Sequence, residues 1–124
     1  MQRDNIGIIA DDGTKLLSVD VISNNGKDVR TILYDGDVEA LEDIGSKVPA
    51  NNFYNFIDDF NEVYQYCQEI PNYKKDVYVF NFDSIVKTVI YTLRVVFSEF
   101  INKYSFLGLR IIRGDNSGNE SEQN

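Results

Sequence analysis

Apolar and polar side chains alternate from Lys15 to Ile22, with Leu17, Val19 and Val21 on one face and Ser18 and Asp20 on the other. That period of two predicts a half-buried strand. A short apolar strand precedes it over Asn5 to Ala10 and ends in Asp11-Asp12-Gly13, a turn signal that leaves two carboxylates at the strand's end. Asn24-Asn25-Gly26 tolerates positive φ and predicts a tight hairpin into a third strand over Val29 to Tyr34. The first third of the chain therefore reads as an antiparallel meander.

The period then lengthens. Val38 to Ile44 predicts one short helix stopped by Gly45, flanked by the acids Asp35, Asp37, Glu39, Glu42 and Asp43. Such a cluster is either an ordinary solvated face or an acidic surface offered to a partner. Over Asn52 to Glu69, Phe53, Phe56, Ile57, Phe60, Val63, Tyr64 and Cys67 fall on one stripe at 3.6 spacing, and Pro71 closes that helix. The near-continuous apolar run from Asp76 to Phe82 predicts a strand covered on both faces, ending on Asp83. Asp83 and Ser84 suit a helix start, and Ile85 to Ile101 carries the apolar face of a long buried helix. A last strand is expected over Gly108 to Arg113, with a right-handed parallel crossover from the Asp76 strand. The expected fold class is α/β, or α+β, in the order β-β-β-α-β-α-β. Residues 1–113 form one globular domain on this reading, and 114–124, without an apolar residue, a flexible polar tail.

Composition narrows the chemistry. Twenty acids against twelve bases give a net charge of −8, so the field of the molecule repels polyanions, and a nucleic-acid partner is disfavoured. Lys74, Lys75, Lys87 and Arg94 make the one basic strip in sight. With no histidine, the usual zinc sites and any Ser-His or Cys-His nucleophile are excluded, which leaves acid-base work to carboxylates. The single Cys67 sits in an apolar helical pattern and reads as a small buried hydrophobe. The polar opening residues MQRDN have no long apolar run behind them, so the expectation is no signal peptide, no membrane span and a cytoplasmic location.

The element order, with IIADDGT at the end of the first strand, ANNFYNFIDDFNEVYQYC on the following helix and VFNFDSIV at a strand-to-helix junction, resembles the ribonuclease H-like superfamily. IIRGDNSGNESEQN is similar in flavour to that family's glycine-rich loop. The resemblance implies a mixed sheet and a two-metal phosphodiester hydrolysis in which carboxylates hold Mg²⁺. Carried over residue by residue, Asp11 or Asp12 becomes the first-strand ligand, Asp59 the helix ligand and Asp83 the fourth-strand ligand. Asp12, Asp59 and Asp83 are the catalytic set this implies, and Asp11 joins them as a metal ligand. The loop histidine of the family is missing, with Asp115 or Asn116 near its place, and the final acid-bearing helix is absent. A degenerate or truncated relative fits those departures.

Two classes of function follow. One is a Mg²⁺-dependent nuclease-like domain built on the four aspartates. The other is a small acidic protein-binding module, an inhibitor or adaptor, that engages a basic partner. Tyr54, Tyr66 and Tyr91 fall off the apolar stripes, as expected of a binding surface, and the long apolar helix also suits a homodimer.

Overall fold

The computed structural model describes residues 2–23, 30–49, 53–69 and 82–114 of the chain. Four strands, β1 (Gln2–Ile9), β2 (Lys15–Ser23), β3 (Arg30–Asp35) and β4 (Arg110–Arg113), form an antiparallel sheet in the order β3-β2-β1-β4. Three helices among the described residues accompany it: α1 (Val38–Gly45), α2 (Phe53–Glu69) and α3 (Phe82–Lys103). The fold is α+β.

The meander forms as its alternation predicts. Ile6 pairs with Val19 and Ile8 with Leu17 across β1 and β2, and Val19 pairs with Leu33 on β3. Because successive side chains alternate between faces, Ile6, Ile8, Leu17, Val19 and Val21 share one side of the sheet. There they meet Phe56, Phe60 and Val63 of α2 and Val86, Val89, Leu93 and Phe97 of α3 in a single core. The Thr31 hydroxyl on β3 donates to the Cys67 carbonyl at 3.0 Å and pins α2 to the sheet.

On the opposite face Ser18 and Asp20 point away from that core, yet both are buried, at 3% and 7% exposure. Burying a carboxylate requires partners. Arg3 Nη2 donates to Asp20 Oδ2 at 2.9 Å, and Asn5 Nδ2 donates to Asp20 Oδ1 at 2.6 Å and to Ser18 Oγ at 3.1 Å. The polar half of the β2 alternation is thus a satisfied network and not a wetted surface.

Element ends depart from expectation at three places. α3 already includes Phe82 and Asp83, so Asp83 lies within the helix and not at a strand end. α3 also runs on to Lys103, a short 3₁₀ turn covers Ser105–Leu107, and Gly108 closes it at φ 73°, so β4 starts at Arg110. Finally, β4 pairs antiparallel with β1, Ile111 opposite Ile8. The strand expected over 76–82 lies outside the described residues up to Asn81, and with it the parallel crossover, as do the Asn24-Asn25-Gly26 hairpin and all of the 114–124 tail after Gly114.

Candidate functional site

The four aspartates nominated by sequence occupy three separate settings. Asp11 and Asp12 lie in the β1–β2 turn, where Gly13 takes φ 90° and its N–H donates to the Ala10 carbonyl at 2.9 Å. Asp12 Oδ1 accepts the Thr14 N–H at 2.9 Å, the Asx arrangement that shapes such turns. That backbone hydrogen bond, joined by the Thr14 hydroxyl, holds the Asp12 carboxyl below its ordinary value. Asp11 packs beside Gly108, and a Cβ added there would meet Asp11 Cβ at 3.3 Å. The two aspartates share a cleft of about 180 Å³ with Asp43, Lys47 and Leu107.

Asp59 stands elsewhere. Its Oδ2 accepts the Tyr104 hydroxyl at 2.5 Å and pairs with Lys103 Nζ at 2.7 Å, so one carboxylate staples α2 to the end of α3. Burial pushes the Asp59 carboxyl up, but the hydrogen bonds from Lys103 and Tyr104 and the Lys103 charge together hold it below the ordinary value. Tyr104, only 3% exposed, is pushed up by burial and then by the adjacent Asp59. Its ring meets Phe56 edge-on at 5.0 Å and Phe100 at 5.2 Å.

Asp83 lies at the far end of the same helix. From Asp83 to Lys103 α3 rises by about 30 Å at the standard pitch, whereas metals in a two-metal site stand about 4 Å apart. Asp59, held at Lys103, and Asp83 therefore belong to opposite ends of α3. Among the described residues no group of three or more acids is placed to hold a metal ion. Asp12 Oδ1 is engaged by Thr14, and Asp59 Oδ2 by a lysine and a tyrosine.

Acids are concentrated on two adjoining helices. α1 carries Glu39, Glu42 and Asp43, and α2 carries Asp58, Asp59, Glu62 and Glu69; the two helices hold seven acids and not one base. All but Asp59 are exposed. α1 lies against α2, with a small hollow between them lined by Leu16, Val38, Leu41, Phe60 and Tyr64. Part of the acidity is structural: Asp37 Oδ1 caps α1 by accepting the Ala40 N–H at 3.2 Å. Beyond α2, a groove of about 310 Å³ separates it from α3, walled by Asp59, Glu62, Glu99 and Lys103 and floored by Val63 and Phe100. Glu62, Glu99 and Lys103 were not singled out by sequence. The usable signal was the spacing of Asp59, Glu62 and Tyr66, three and four residues apart on the flank of the α2 stripe, which sets them in one row.

No protein-family model, no curated protein and no solved structure matches this chain, so the reading of the surface rests on its own geometry and charge.

Proposed function

We propose that this protein is a small acidic, non-catalytic module that binds a basic protein partner through the exposed acids of α1 and α2. The observation that carries this reading is the segregation of charge: seven acids and no base on two adjacent helices, six of the acids exposed. Like-signed charge on a surface steers an oppositely charged partner and rejects polyanions, which contributes to rate and specificity more than to raw affinity. The protein so described acts as an inhibitor or adaptor. A degenerate ribonuclease H-like ancestry shares the antiparallel β1–β2–β3 meander with this chain, but the mixed sheet it implies is not seen among the described residues, where β4 also pairs antiparallel with β1.

The test is a calorimetric titration with decalysine at low and at physiological salt. Binding weakens on the order of tenfold as salt screens the exposed pairs, and the triple variant Glu39→Gln, Glu42→Gln, Asp43→Asn weakens it at low salt. An affinity indifferent to salt and to that variant counts against the proposal.

A further inference from the structure

We infer that the groove between α2 and α3 is a pocket for an arginine side chain of the partner, on the side of α2 away from α1; this rests on the binding reading above and assigns its contact site. The groove is lined from α2 by residues at helical spacing, Asp59, Glu62, Val63 and Tyr66, and from α3 by the matching set Val96, Glu99, Phe100 and Lys103. Seven residues of helix give it a length of about 10 Å, room for one long side chain and its neighbours.

Its chemistry is graded along that length. At one end Lys103 and Tyr104 occupy Asp59, so this carboxylate is already neutralised and serves the fold. The floor is apolar, with Val63 6% and Phe100 5% exposed, which suits a row of methylenes. Glu62 and Glu99 stand exposed on opposite walls, and neither forms an ion pair or hydrogen bond with a described residue. Tyr66 is half-buried beside them and offers an aromatic edge or face. Two carboxylates on the two helices that flank an apolar floor, without a partner among the described residues and with an aromatic ring adjoining, match a planar cation that donates on two sides and stacks. Arginine has that shape; the compact, strongly hydrated ammonium of lysine does not. The net negative charge of the chain supplies the long-range attraction and the groove supplies the register.

Hexa-arginine and hexalysine titrated separately into the ¹⁵N-labelled full chain test this. Hexa-arginine is expected to bind more tightly than hexalysine and to shift the amide signals of residues 59–66 and 96–103. Glu62→Gln and Glu99→Gln each weaken it by about threefold to fivefold, the range for a partly exposed ion pair, and Tyr66→Leu removes the preference for arginine. The α1 triple variant weakens both peptides alike and leaves the preference intact. Shifts confined to α1, with the two glutamate variants binding as the parent does, overturn the pocket while sparing the acidic-face reading. Absence of binding by either peptide overturns both.

Discussion

Replacing Tyr104 by Phe isolates the hydroxyl of the α2–α3 staple, because the ring keeps its contacts with Phe56, Phe100 and Phe106. What disappears is one hydrogen bond of 2.5 Å to a carboxylate. Hydrogen bonds to charged groups contribute about 1.5–3 kcal/mol. The Asp59 side chain is 25% exposed and keeps Lys103, so water replaces part of the loss. The expected cost is therefore about 1–1.5 kcal/mol. For a chain of 124 residues the unfolding entropy is about 0.26 kcal/mol/K, which converts that cost into a melting temperature about 4–6 °C lower. Calorimetry at neutral pH measures it. A double-mutant cycle with Asp59→Asn should return most of the loss as coupling between the two residues. A Tyr104→Phe protein that melts within a degree of the parent, or a cycle without coupling, refutes the staple.

Four further expectations concern the same framework. The lowered carboxyl of Asp59 contributes stability that is fully present above its ordinary value of 3.8 and is lost as pH falls through the lower folded value; Asp59→Asn should therefore flatten the acid limb of the stability–pH curve below that point. Tyr104 is raised above its ordinary 10.0, so its contribution is present below pH 10.0 and fades as pH climbs beyond it, and Tyr104→Phe should lessen the alkaline loss measured by urea denaturation. Gly7→Ala should cost about 1–3 kcal/mol by overpacking, because the added Cβ would stand 2.7 Å from the Leu17 carbonyl oxygen on the central strand β2; the urea midpoint reads this. Cys67, fully buried and with its thiol pushed up to about 12 by burial, should react with a disulfide reagent only as fast as the protein opens, and a native rate equal to that of the unfolded chain would contradict its placement.

The parts of the fold legible in the sequence are those fixed by local periodicity. Alternation from Leu17 to Val21 and the stripe from Phe56 to Cys67 depend on nothing but the strand and helix repeats, and both elements form as expected. Which strand neighbours which is a nonlocal choice, and the pairing of β4 with β1 through Ile111 and Ile8 carries no local signature. The burial of Ser18 and Asp20 was not legible for the same reason: alternation assigns a face, but the partners Arg3 and Asn5 that allow burial of the carboxylate come from another strand. The candidate site shows the contrast most plainly. An aspartate beside Gly13 looks alike in sequence whether it shapes a turn or holds a metal, and the Thr14 contact that shapes the turn appears only in the structure. Asp59 sits on the flank of its stripe as the helical wheel requires, yet its partners lie 44 and 45 residues further along the chain at Lys103 and Tyr104. The acidity of α1 and α2 was visible as composition; that the two helices adjoin was not.

The most direct measurement compares two additives in one thermal-melt series at constant ionic strength, Mg²⁺ and decalysine. If the acids serve a basic partner, decalysine raises the melting temperature in a concentration-dependent way, as ligand linkage requires, and Mg²⁺ leaves it where an equivalent amount of sodium does. A rise with Mg²⁺ that Asp83→Asn abolishes, with no effect of decalysine, would contradict the account and return the four aspartates to a common metal site.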